Sequence, residues 1–135
     1  MIRHLAGLAE IVADVESAVH FYREVLGLEV EHASGSLYAT VKIPGVLHFG
    51  LWGRAAAAES VYGDPAAAHK IPLGFSLGFE VDEVAQSQRD LSENGCQFVQ
   101  TRREEPWGQV TSRFHSPSGA LCEISETPWA REIPA

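Results

Sequence analysis

The sequence predicts an α+β fold built from one strand, helix, strands unit used twice, and three observations carry that prediction. A helical segment that starts at an aspartate and stops at a glycine, DVESAVHFYREVLG from Asp14 to Gly27, recurs as DEVAQSQRDLSENG from Asp82 to Gly95, displaced by 68 residues at both ends. Each copy follows an apolar run (GLAEIVA, then FSLGFEV) and precedes another (LEVEHA, then CQFVQT). Near the end of each half the triplets Gly45-Val46-Leu47 and Gly119-Ala120-Leu121 match again, now displaced by 74 residues. A repeated unit that cannot bury its own apolar face pairs with its copy, and the seam between copies is where a ligand cavity can form.

Ile2 to Ala13 reads as the first strand, ended by Asp14, whose carboxylate can accept from the free amides of the helix that starts there. Val15, Ala18, Val19, Tyr22, Val25 and Leu26 then recur at three- and four-residue spacing as a buried stripe, and Gly27 supplies a left-handed stop. Leu28 to Ala33 is the second strand. After the turn Ser34-Gly35-Ser36, Leu37, Ala39, Val41 and Ile43 alternate with polar residues, the pattern of a strand with one buried face. Pro44-Gly45 turns the chain into a fourth strand, Val46 to Trp52. Module 1 is thus expected over 1–53.

Residues 54–72 are Ala-rich and lack strand alternation, and they read as a linker with a short helical turn at 55–60. Module 2, expected over 73–127, repeats the plan with Leu73 to Val81 as strand, Asp82 to Gly95 as helix and Cys96 to Arg102 as strand. Gln109 to His115 and Ala120 to Glu126 complete it. It is six residues longer than module 1 between helix and last strand, and the excess falls around Glu104 to Gly108, the loop that holds Trp107. Residues 128–135 form a tail, either loose or packed on a partner.

At 135 residues and 14.7 kDa the chain suits one domain that buries roughly two-thirds of its unfolded surface. A net charge of −8 argues against nucleic-acid binding, which needs a concentrated basic face. No apolar stretch reaches the length of a membrane span, the N-terminus lacks the pattern of a secretion signal, and Cys96 and Cys122 show no CxxC spacing. The expectation is a cytoplasmic protein with no membrane or nucleic-acid partner.

VADVESAVHFYREVLGLEV, LGFEVDEV and PWGQVTSRFHSPSGALCEISE resemble the vicinal oxygen chelate superfamily, which holds glyoxalase I, extradiol dioxygenases, methylmalonyl-CoA epimerase, fosfomycin-modifying enzymes and bleomycin resistance proteins. The resemblance implies two tandem βαβββ modules forming a curved mixed sheet around a cavity, usually in a dimer. It also implies divalent-metal positions on the first and last strand of each module. Counted from the helix starts and the matched glycines, these fall on Gly7, Ser76, Phe49 and Glu123. Of the four, Glu123 alone suits a metal, and one carboxylate does not make a stable site. His48 and His4 have the wrong strand parity to join Phe49 and Gly7.

What remains reads as a pocket from which the metal has been removed. Phe49, Trp52 and Trp107 would supply aromatic walls, Ser76 and the small residues near it would leave room, and Glu123 would be a buried acceptor with Arg113 and His115 as candidate partners. Glu123 could be a residual metal ligand, a general base or the partner of a cationic ligand. No GxSxG, phosphate-loop or HExxH motif points to other chemistry. The expected function is therefore small-molecule binding by a homodimer of glyoxalase or bleomycin-resistance type, with no cofactor, in a sequestering or carrier role. The alternatives are a metal-dependent isomerase, epimerase or lyase of the same superfamily, or an interaction subunit whose cavity is vestigial.

Overall fold

The computed structural model describes residues 1–130, and the fold is α+β with the βαβββ plan used twice. Two compact units make up the chain: a first unit, Gly7–Ser76, and a second, Met1–Ala6 together with the chain from Leu77 onward.

In the first unit, β1 (Ile2–Val12) pairs in parallel through Leu8 to Val12 with β4 (Phe49–Gly53). β4 pairs antiparallel with β3 (Tyr38–Lys42), and β3 with β2 (Glu29–Glu31). The helix covers one face of this mixed sheet: Val15 and Val19 of α1 (Val15–His20) meet Val12, Val30, Ala39, Val41, Phe49 and Leu51. Asp14 caps α1 as expected, accepting from the amides of Glu16 and Ser17 at 3.1 and 3.4 Å. The Ser17 hydroxyl is the larger influence holding the Asp14 carboxyl below its usual range.

After α1 the chain continues as a π-helical turn, Phe21–Val25, closed where the Leu26 amide donates to the Phe21 carbonyl at 3.0 Å. That turn explains a discrepancy between the repeats. α3 (Val84–Glu93) starts 69 residues after α1, whereas the stop glycines Gly27 and Gly95 are 68 apart. The first helical segment therefore holds one more residue, and a π turn is how a helix accommodates one.

Residues 54–72 hold more structure than the sequence suggests. α2 (Arg54–Tyr62) fills nine residues, as expected of an alanine run, and ends at Gly63 with φ of 72°. A 3₁₀ turn, Pro65–Lys70, follows with Asp64 capping it. Arg54 Nε donates to the Ile71 carbonyl at 2.6 Å, and Ala57, Ala58 and Ile71 are fully buried, so this segment is part of the first unit's interior.

In the second unit, β5 (Gly74–Val81) runs parallel to β8 (Leu121–Glu126), which pairs antiparallel with β7 (Val110–His115), and β7 with β6 (Phe98–Glu104). Under α3 lie Val81 and Ile124, flanked by Phe79, Leu91, Phe98, Val110 and Phe114. Asp82, expected to start this helix, instead pairs with Arg3 at 2.9 Å, and the first helical amide, of Val84, donates to Glu126 Oε2 at 2.8 Å. A carboxylate from β8 does the work that Asp14 does in the first unit.

The extra length of the second repeat sits in strand rather than in loop. β6 holds seven residues where β2 holds three, and its register against β7 shifts twice, once with Arg102 at φ of 36°. The Arg102 amide is held in that conformation by the Ser112 hydroxyl at 2.7 Å. Of the tail, Pro128–Ala130 forms a 3₁₀ turn; residues 131–135 lie outside the described residues. No helix among the described residues is long and apolar enough to cross a membrane.

Candidate functional site

Strand parity decides what the second unit presents on the face its helix leaves open. Because Phe79, Val81, Ile124 and Phe114 lie under α3, the residues between them, Gly78, Glu80, Glu123, Ser125 and Arg113, point to the opposite face. Arg113 and Glu123 are direct cross-strand partners, and Gly78 sits opposite Glu123 on the other side. A Cβ at Gly78 would meet Glu123 Cγ at 3.3 Å, so the glycine makes room for that carboxylate.

Arg113 is 1% exposed, and its guanidinium is hydrogen-bonded at both Nε and Nη1. Nε donates to Glu123 Oε1 at 3.2 Å, while Nη1 donates to Glu105 Oε1 at 2.7 Å and to Gln100 Oε1 at 3.1 Å. Thr111 adds a hydroxyl to Glu105 at 3.2 Å. Arg103 Nε comes within 3.3 Å of Glu105 Oε2, close enough to pair charges but not aligned as a hydrogen bond. The bulge in β6 is what makes this possible, since it places Gln100 opposite Arg113 and Arg103 opposite Thr111, three residues apart yet on one face. The result is an alternating row, Arg103, Glu105, Arg113, Glu123. Of its two carboxylates Glu123 is the more open, with a side chain 17% exposed against none for Glu105.

Burial pushes the Glu123 carboxyl above its ordinary range, Arg113 opposes this, and the charges of Glu105 and Glu80 add to it. Glu80 is itself fully buried and accepts from the Thr127 amide at 3.0 Å and the Ser125 hydroxyl at 3.4 Å. A carboxyl whose native pKa is raised binds its proton more tightly folded than unfolded. Its contribution to stability is therefore complete below the unfolded value and lost as pH rises through the native one. Chemical denaturation between pH 4 and 8 should show stability falling with pH in this window, with a flatter profile for Glu123→Gln, which keeps the acceptor and loses the proton.

In the first unit the same parity argument uses β1 and β4. Phe49 and Leu51 lie under α1, so His48, Gly50 and Trp52 occupy the open face. Ala9 pairs with Gly50 as Gly78 pairs with Glu123, and Ala9 and Gly78 keep the 69-residue displacement of the helix starts. The residue that corresponds to Glu123 is therefore Gly50, at a displacement of 73, and not Phe49, which the matched glycines indicate at 74. One residue of difference turns the side chain to the other face. Phe49 packs edge-on to Tyr22 at 5.4 Å, inside the core. Over Gly50 lies the Tyr38 phenol, hydrogen-bonded to His48 Nε2.

Of the remaining residues expected at a site, Ser76 and His115 share by parity the open face of Gly78 and Arg113. Trp52 is buried on β4 opposite Ile11, and Ser76 is half-buried on β5. His115 ends β7 opposite Leu121. Trp107 is 48% exposed in the β6–β7 turn, with Nε1 donating to Gln109. Sequence reasoning passes over Glu105, Gln100, Glu80 and Tyr38. Glu80 shares its face with Ser76 and Gly78 and so was accessible to parity; the burial of Glu105, beside Pro106 and Trp107, was not.

A family model described as Glyoxalase/Bleomycin resistance protein/Dioxygenase superfamily matches residues 2–124. The chain belongs to that superfamily. Solved structures agree in fold across nearly the whole superfamily domain. A superfamily member from Vibrio splendidus 12B01 is 15% identical with a TM-score of 0.62, over 89% of this chain and 96% of that one. A methylmalonyl-CoA epimerase variant from Streptomyces coelicolor, in complex with 2-nitronate-propionyl-CoA, is 17% identical with a TM-score of 0.63, over 94% and 99%. A hypothetical protein from Bacillus halodurans C-125 is 19% identical with a TM-score of 0.64, over 93% and 94%. No curated protein matches.

The divalent metal common in this superfamily can be tested against the residues present. Its four strand positions here hold Gly7, Ser76, Gly50 and Glu123, a single carboxylate, and that carboxylate already carries a guanidinium on Oε1. Among the described residues no three His, Cys, Asp or Glu side chains come together as a ligand set. The donor set does not fit a resident divalent ion.

Proposed function

We propose that this superfamily member binds a small molecule without a resident metal, in a sequestering or carrier role, as a cytoplasmic homodimer. The observation that carries the reading is the pairing of Glu123 with Arg113. The one carboxylate at a family metal position is committed to an internal cation and remains partly open, which suits a fixed polar anchor for a ligand. The homodimer rests on the resemblance to the superfamily alone. The test is metal content by mass spectrometry after exposure to nickel, zinc, manganese and ferrous ions followed by desalting. No stoichiometric metal is the expected result; about one per chain overturns the reading.

A metal-dependent isomerase, epimerase or lyase is the second reading, favoured by the upward push on the Glu123 carboxyl, which suits a group that takes up and returns a proton. Under that reading Glu123→Gln abolishes turnover and metal is present in stoichiometric amount.

Trp107 provides a separate check. With half its surface in solvent, Trp107→Ala should change stability by no more than about 0.5 kcal/mol. A ligand found by thermal-shift screening should nevertheless bind the variant more weakly, as titration calorimetry would show.

A further inference from the structure

The pairing of Tyr38 with His48 is not used by the reading above. Tyr38 stands on β3 opposite Trp52, and its ring reaches diagonally across Gly50 to bond His48 Nε2 just before β4, with the two rings parallel within 2°. A side chain at position 50 would occupy the place of the phenol, so the glycine is what lets the two meet. On the other edge of this segment the Leu8 amide donates to the His48 carbonyl at 3.1 Å, which makes Gly7 the cross-strand neighbour of His48. A Cβ at Gly7 would meet nothing within 4 Å. The dyad thus has a packed side, at Gly50, and an open side, at Gly7.

The chemistry of the pair follows from its hydrogen bond. Burial lowers the His48 pKa, which keeps the ring neutral at physiological pH. A phenol is a far better donor than a neutral imidazole N–H, so the Tyr38 hydroxyl donates into Nε2 and the ring proton resides on Nδ1. Nδ1 has no partner among the described residues, and it is not sealed from solvent. Lys42, on the same face of β3 as Tyr38, is occupied by Glu31 at 2.9 Å.

We infer that Tyr38 and His48 form a second polar binding point, within the Gly7–Ser76 unit, at which His48 Nδ1–H donates a hydrogen bond to the carbonyl oxygen of a neutral ligand. Tyr38 acts as a positioning residue that fixes the tautomer, and the space beside Gly7 admits the ligand. The test of the binding point reads His48 directly and needs neither Glu123 nor a metal.

Acetophenone is a suitable neutral carbonyl probe, followed by nitrogen–proton NMR of the histidine side chains in the full-length protein. The expected result is a progressive shift of the His48 Nδ1 resonance, with binding weakened about tenfold by Tyr38→Phe, as befits loss of one hydrogen-bonding arrangement. Gly7→Val fills the open side, leaves the dyad intact and should also block the probe. A Cβ at position 7 meets nothing within 4 Å, so Gly7→Ala, the smaller substitution, keeps the test readable should Gly7→Val not fold. No shift of His48 in the wild type overturns the binding point. A shift that persists in Tyr38→Phe overturns the tautomer argument, and one that persists in Gly7→Val overturns the proposed entry.

Discussion

Arg113→Ala is expected to destabilise the protein by about 3–5 kcal/mol, the cost of removing one member of a buried charge network. The guanidinium donates to Glu123, Gln100 and Glu105, and without it the Glu105 and Glu123 carboxylates lose the cation between them, while Arg103, a third exposed, still pairs with Glu105. The magnitude reflects abandoned charge more than lost attraction, since a buried pair costs desolvation that its mutual attraction only partly repays. This gives the variant a recognisable pH signature. Burial already pushes the Glu123 carboxyl up and Arg113 opposes it, so the variant binds a proton there more tightly when folded and recovers stability as pH falls. Urea denaturation of wild type and variant at pH 5 and pH 8 should show the larger gap at pH 8. An equal gap at both values would mean that packing, not charge, accounts for the loss.

Gly50→Ala is the second large effect, about 1–3 kcal/mol of overpacking. The added methyl overlaps the Tyr38 hydroxyl and the ring carbon that bears it, and the strand backbone cannot retreat because Gly50 pairs on both sides, with Ala9 and with Thr40. Tyr38 must swing away and give up His48. In a Tyr38→Ala background the same methyl meets no phenol, so the substitution should cost much less there, and the thermodynamic cycle should return a strong coupling. Additive effects would place the strain elsewhere.

Much of the architecture was legible because it repeats. The aspartate and glycine that bracket each helix, the strand alternation around Ala39 and Val41, and the paired turns at Gly45 and Gly119 are local signals, and each has a physical cause within a few residues. Of α2 only a short helical turn at 55–60 was legible, and its full extent escaped because an alanine run without a polar and an apolar side gives no periodicity to read. At the candidate site, Glu123 and Arg113 stand out in the sequence as a carboxylate and a cation on neighbouring strands, and the structure brings them together at 3.2 Å. The Phe49 position escaped for a reason of counting. The repeat is displaced by 69 residues at the first strand and by 73 at the last, and glycines in a turn outside the strand do not report the register within it. Glu105 escaped because a charged residue in a Pro-Trp-Gly turn looks solvent-exposed until the bulge in β6 is seen to fold Arg103 over it.

The π turn at Phe21–Val25 bears on how such a chain tolerates changes in its length. An added residue there is absorbed within one helical turn, and the strands on either side keep the same side chains on the same faces. An added residue within β4 or β8 would instead exchange interior for exterior along the rest of the strand, turning Phe49 and Leu51 outward or Glu123 inward beneath α3. Insertions and deletions between related chains of this fold should therefore collect in the helices and at bulges, while the strand lengths between bulges stay constant.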